Sequence, residues 1–132
     1  MNYTLYFDGC SKGNPGRAGA GAVIYDSGMN EVWSSAVFVG ANSTNNESEY
    51  TGLLIGLRKV TEMGVVNLLV RGDSQLIIRQ MKCEYKVKSA SLKPMYEEAV
   101  KLSKLVNSIQ YEHVYREFNK RADELSNLGL VA

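Results

Sequence analysis

The chain opens on an alternating pattern. In Tyr3-Thr4-Leu5-Tyr6-Phe7-Asp8, residues Tyr3, Leu5 and Phe7 fall on one face of a strand and Thr4, Tyr6 and Asp8 on the other. Gly9 to Gly16, with Gly13-Asn14-Pro15-Gly16 at its centre, predicts a turn-rich loop. Ala18-Gly19-Ala20-Gly21-Ala22 leads into Val23-Ile24-Tyr25, a second strand whose small side chains admit another backbone or a ligand. Asp26 to Asn30 predicts a hairpin loop, and residues 31–40 a third strand carrying Trp33, Val37 and Val39. Three strands joined this closely predict an antiparallel meander.

The period then changes. Tyr50, Leu53, Leu54, Leu57 and Val60 follow the spacing of one helix face. Thr44 and Glu47 have capping-box spacing at its start, and Gly64 supplies its stop. Val65 to Val70 predicts a strand buried on both faces, as in a parallel sheet. A short helix over residues 74–82 and a longer one over 91–105, with Pro94 in its first turn, come next. Residues 108–114 predict a fifth strand, and Asn119 is placed to cap a last short helix. The order β-β-β-α-β-α-α-β-α predicts an α/β protein with a mixed sheet and helices on its faces.

At 132 residues the expectation is one domain covering 1–132. No apolar run approaches the roughly 18 residues of a membrane span, and the opening residues have no signal-peptide pattern. A cytoplasmic monomer without membrane association is therefore expected. Cys10 and Cys83 are too few for a disulfide scaffold. Formal net charge is only +1, but it is unevenly placed. Arg79 to Lys104 holds seven basic residues and three acids. That is either a solvated lysine-rich face or a strip for a polyanion, and charge alone does not choose between them.

Acids at element ends carry the candidate chemistry. Asp8 ends the first strand on its polar face, and Asp73 follows the fourth in Arg71-Gly72-Asp73-Ser74. Sites in α/β sheets lie just beyond the carboxyl ends of strands. If these strands are parallel neighbours, the two carboxylates stand side by side and need a cation between them. A lone strand-end aspartate commonly caps a turn or helix, and Asp73 is placed to do so. On a helical wheel Glu49 sits about 40° from Leu53 and about 20° from Val60, at the edge of the apolar stripe. Glu47 is in capping position. Asp123 falls in the first turn of the last helix, where an acid also complements the helix dipole. Four carboxylates without a cysteine or histidine cluster disfavour zinc and suit Mg²⁺ or Mn²⁺. Neutralising four carboxylates turns a formal charge of +1 into a basic surface.

These residues also carry a resemblance. Asp8-Gly9-Cys10-Ser11-Lys12-Gly13-Asn14-Pro15-Gly16, Thr44-Asn45-Asn46-x-x-Glu49, Gly72-Asp73-Ser74-Gln75, and His113-x-x-Arg116-Glu117-x-Asn119-x-x-Ala122-Asp123 resemble, in order, four motifs of the type 1 branch of the ribonuclease H family. The resemblance implies a ribonuclease H-like fold: a five-stranded mixed sheet, three antiparallel strands then two parallel, flanked by helices. It implies hydrolysis of the RNA strand of RNA/DNA hybrids with two divalent ions, Mg²⁺ or in its place Mn²⁺, leaving 3′-hydroxyl and 5′-phosphate ends. The resemblance further implies that Asp8 would bridge both ions, that Asp123 would share the ion that activates water, and that Glu49 and Asp73 would hold the ion on the leaving-group side. His113 matches the family histidine of proton transfer or product release, ten residues before Asp123. Cys10, Asn14, Thr44, Asn45, Asn46 and Gln75 match positions that contact the hybrid. Selectivity for RNA would come from its 2′-hydroxyls.

The chain departs from the family pattern in three places. Cys10 stands where serine or alanine is frequent, and Tyr115 replaces a common proline. Between Asp73 and Asp123 there is no tryptophan-rich basic handle, since Trp33 is the single tryptophan. Tyr85, in Glu84-Tyr85-Lys86-Val87-Lys88, is the candidate to stack on the DNA strand. Two alternatives remain open at this point. One is a related nuclease on double-stranded RNA. The other is a module that grips hybrid without cutting it, which the acidic cluster disfavours because it faces phosphates.

Overall fold

A computed structural model of the chain describes residues 2–132. Its order is β1 (Asn2–Lys12), β2 (Gly16–Tyr25), β3 (Glu31–Ser43), α1 (Asn45–Glu62), β4 (Asn67–Gly72), α2 (Gln75–Met81), α3 (Lys93–Ser103), β5 (Ser108–His113), a single 3₁₀ turn (Arg116–Phe118) and α4 (Lys120–Gly129). The strands form one five-stranded sheet in the order β3-β2-β1-β4-β5. The first three are antiparallel, and β4 and β5 run parallel to β1. The expected architecture is therefore present. No helix among the described residues is long and apolar enough to cross a membrane.

Helices α1, α2 and α3 cover one face. The predicted stripe of α1 is entirely buried, and it meets Leu5, Phe7 and Val70 from the sheet. Thr44 and Glu47 form the capping box in both directions, so the helix start is fixed by its own side chains. The helix lies unusually close to β1. A Cβ on Gly52 would sit 2.6 Å from the Asp8 carbonyl oxygen, and one on Gly9 2.3 Å from the Ser48 backbone. Only glycine lets the first turns of α1 approach the end of β1 this closely. On the other face α4 packs over β2, β1 and β3, with Ala122 and Leu125 buried against Val23. The small residues of β2 thus admit a helix backbone rather than a ligand.

Two expectations are corrected. The segment Gly9–Lys12 is not loop. It continues β1 and pairs with Arg17–Ala20, leaving only Gly13-Asn14-Pro15 to turn. Strand β4 is not buried on both faces. Leu68 and Val70 are buried, but Leu69 and Arg71 are half-buried and β5 alternates exposed and half-buried residues. The reason is that α4 covers β1, β2 and β3 and does not extend over β4 and β5. There Arg71 pairs instead with Glu112 and Tyr6.

Candidate active site

Strands β1 and β4 are parallel neighbours with Phe7 opposite Gly72, so Asp8 and Asp73 emerge at the same end of the sheet. The close approach of α1 brings Glu49 onto them. Ligand oxygens of Asp8, Glu49 and Asp73 all lie within 4.8 Å of one another. Asp8 is 4% exposed and Glu49 7%. The Gly9 N–H donates to Asp8 Oδ1 at 2.9 Å and to Glu49 Oε1 at 3.0 Å. One backbone donor thus serves two carboxylates. Asp73 does not cap α2, because the Ser74 hydroxyl accepts from the Ile77 N–H in that role. Asp73 Oδ2 accepts instead from Asn119 Nδ2 at 3.2 Å.

Burial and crowding show in the titration of the pair. Burial pushes the Asp8 carboxyl up to about 6, and the charges of Asp73 and Asp123 add to the rise. Burial drives Glu49 well above the usual carboxylate range, with its contact to Asp8 and the charges of Asp8 and Asp73 acting the same way. Glu49 Oε2 is buried with no hydrogen-bond partner among the described residues. A lone carboxylate oxygen in that state is costly unless a cation or proton meets it. Three hard oxygen donors with one unpartnered, beside a Cys10 thiol committed to the Ser126 carbonyl, suit a hard divalent cation.

The fourth acid stands apart from this group. Asp123 lines the same cavity, which encloses about 610 Å³, but lies outside the tight three-carboxylate cluster. Its carboxylate is near Asn127, which donates from Nδ2 to the Asp123 carbonyl at 2.9 Å. His113 ends β5 on the cavity wall with Nε2 3.2 Å from the Asp73 carbonyl oxygen. Its ring packs edge-on against Tyr115, with centroids 5.6 Å apart at 84°.

Comparison with known proteins agrees with this geometry. The reverse transcriptase-like family profile matches residues 6–129. The chain is 37% identical over its full length to the bifunctional protein Rv2228c of Mycobacterium tuberculosis, of which it spans 36%. It is 31% identical over 139 aligned residues to ribonuclease H of Pseudomonas savastanoi pv. phaseolicola, covering 96% of this chain and 91% of that protein. The N-terminal RNase H domain of Rv2228c, solved as a fusion with maltose binding protein, superposes with a TM-score of 0.95 at 36% identity, over 99% of this chain and 94% of that one. LC11-RNase H1, solved in complex with an RNA/DNA hybrid, superposes at 0.91 and 36% identity, over 98% and 96%. The chain belongs to the ribonuclease H family, type 1 branch.

Within this ribonuclease H domain the remaining predicted residues divide. Cys10, Asn45 and Asn46 line the carboxylate cavity. Cys10 turns its thiol away, donating to the Ser126 carbonyl oxygen at 3.3 Å. Asn14 sits in the β1–β2 turn, where its Oδ1 accepts from the Asn45 N–H at 3.1 Å. The Thr44 hydroxyl is committed to the capping box. Gln75 is exposed at the start of α2 and does not line the cavity. Tyr85 is 48% exposed, away from the cavity, with the Arg79 guanidinium 5.3 Å from its ring centroid. Asn119 is not a side-chain cap: its amide serves Asp73 and the Phe7 carbonyl. The cavity wall also includes Lys12, Arg116 and Asn127, to which the sequence reading attached no role. Lys12 falls in a segment whose composition predicts loop, and the motif that contains Arg116 assigns it no contact.

Proposed function

We propose that this chain is an endoribonuclease that hydrolyses the RNA strand of an RNA/DNA hybrid, leaving 3′-hydroxyl and 5′-phosphate ends. The observation that carries the reading is the trio of buried Asp8 and Glu49 with half-buried Asp73, in which one Glu49 oxygen has no donor among the described residues. It stands in a family relative of LC11-RNase H1, which was solved on such a hybrid.

Asp8, Glu49, Asp73 and Asp123 would hold two Mg²⁺ ions, with Mn²⁺ as a substitute. When bound, such ions neutralise charge at the scissile phosphate and activate the attacking water. The chain's own residues do the rest. Asp8 lies at the centre of the cluster, held by the Gly9 N–H. Glu49 and Asp73 flank it from α1 and the end of β4, and Asp123 faces it from α4. His113 Nε2 lies 3.2 Å from the Asp73 carbonyl oxygen, so that in the tautomer that donates there Nδ1 is the ring nitrogen left to face the leaving oxygen. Asn14, Asn45 and Asn46, with the Cys10 and Thr44 backbones, form the rim beside the RNA strand. Gln75 meets its continuation at α2. Tyr85, with Lys86 and Lys88, supports the DNA strand by stacking and charge.

The test is cleavage of an end-labelled RNA/DNA hybrid, beside the matching RNA duplex, with Mg²⁺ and with EDTA. Products from the hybrid alone, with 5′-phosphate ends and only in Mg²⁺, support the reading. Equal cutting of duplex RNA, or no cutting at all, overturns it.

A further inference from the structure

We infer that Asn119 is a positioning residue that locks Asp73 and the end of β1 into the geometry that takes up divalent ions. This rests on the proposed reading of the pocket as a metal-dependent nuclease site.

Asn119 is 1% exposed and immediately precedes α4. An asparagine there ordinarily turns its side-chain oxygen onto a first-turn N–H of the helix. This one does not. Its Nδ2 donates to the Phe7 carbonyl oxygen at 3.0 Å and to Asp73 Oδ2 at 3.2 Å, and its Oδ1 is buried without a partner among the described residues. Reversing the amide would face Oδ1 with a carbonyl and a carboxylate, two acceptors, so the donor end must point into the site. The side chain forgoes a helix cap and leaves one oxygen unpaired, both of which cost stability. What it gains is a bridge between two strand ends. Phe7 immediately precedes Asp8, and Asp73 follows Gly72, the register partner of Phe7. The Asn119 carbonyl also accepts the Asp123 N–H at 3.0 Å, at the start of α4. One residue therefore touches the three segments that carry Asp8, Asp73 and Asp123. Like charges drive these carboxylates apart when no cation is present, and a buried donor between them opposes that spreading.

Asn119→Leu keeps the branched shape and removes the donor. Val60→Ala, at the far end of α1, loses core packing without touching the pocket. Mg²⁺ binding is measured by calorimetry without hybrid, and kcat and KM are measured on hybrid below both unfolding midpoints. Asn119→Leu should weaken Mg²⁺ binding about tenfold and lower kcat about tenfold, with KM for hybrid nearly unchanged. Val60→Ala should lower the unfolding midpoint and leave Mg²⁺ affinity alone. A folded Asn119→Leu that binds Mg²⁺ like the unmodified chain overturns the inference, even if the unmodified chain cleaves hybrid. Loss of Mg²⁺ affinity in a chain that never cleaves hybrid supports the inference and removes the nuclease reading. If Asn119→Leu does not fold, NMR of the unmodified chain decides. The Asn119 side-chain amide should shift as Mg²⁺ saturates Asp73, and a resonance indifferent to Mg²⁺ overturns the inference.

Discussion

The turn after β2 and the pocket at the end of β1 house aspartates in opposite ways. In the turn, Asp26 is alone and surrounded by donors: the Gly28 and Asn30 N–H groups reach its Oδ1 at 3.0 and 2.9 Å, and the Asn30 amide lies within reach of both oxygens. Those bonds, the Asn30 N–H foremost, hold its carboxyl below the usual range. In the pocket, three carboxylates share the Gly9 N–H and the Asn119 amide, and Asp8 and Glu49 are pushed upward by burial. The turn is complete as it stands. Although Lys12 and Arg116 line the pocket, no cationic side chain among the described residues pairs with its three carboxylates, and that deficit separates an acid that builds the fold from one that serves chemistry. Glu47 and Glu49 repeat the contrast two residues apart, one inside a capping box and the other left with a bare oxygen.

The sharpest way to break the comparison is Asp8→Asn. The variant keeps the acceptor for the Gly9 N–H and removes a charge. Cleavage of hybrid should fall by about 10³-fold or more, as expected when a transition-state interaction worth roughly 4 kcal/mol is lost. Denaturant unfolding in EDTA at pH 7 should show the opposite sign, a gain on the order of 1–3 kcal/mol, since a group shifted from 3.8 to about 6 disfavours the fold once ionised. Loss of both activity and stability would show that Asp8 is structural.

The pH dependence sharpens the same contrast. Asp8 and Glu49 have raised folded values, so the stability they confer is fully present below their unfolded values and is lost as pH rises through about 6 and beyond. Asp26 has a lowered value, so its stability is present above the unfolded value and lost as pH falls. Unfolding of the metal-free chain should therefore show stability decreasing from pH 5 to 7, a slope that Asp8→Asn flattens. A slope unchanged by that substitution would remove burial as the cause of the shift.

Smaller effects are expected farther out. Tyr85→Ala should weaken hybrid binding by about 1–3 kcal/mol, with Tyr85→Phe close to the original, as read by titration against labelled hybrid. Equal loss in both would point to the hydroxyl instead. Asp26→Ala should lower the thermal midpoint slightly and leave cleavage unchanged, and any drop in cleavage would tie the turn to the site.

Much of this was legible in the sequence because it is written in local periods. The α1 stripe from Tyr50 to Val60, the Thr44–Glu47 box and the placing of Asp8 and Asp73 at strand ends all follow from spacing. What escaped is set by contacts distant in sequence. Gly9 reads as a turn residue, yet it is glycine because Ser48 and Glu49 pack against it. Asn119 reads as a cap, and only the nearness of Phe7 and Asp73 redirects its amide. Asp123 belongs to the same motif order as the other acids, but spacing cannot show that α4 seats it outside the tight trio. Strand β4 looked doubly buried because no pattern within it reveals that α4 stops short.

The most direct measurement is Mg²⁺ titration by calorimetry at about pH 6 in buffers of different ionisation enthalpy, which counts protons released on binding. If cations replace the protons that burial keeps on Asp8 and Glu49, binding must release protons, and Asp8→Asn must reduce both the release and the affinity. Mg²⁺ binding without proton release, or equally tight in Asp8→Asn, would place the ion elsewhere and contradict a pocket built around a missing positive charge.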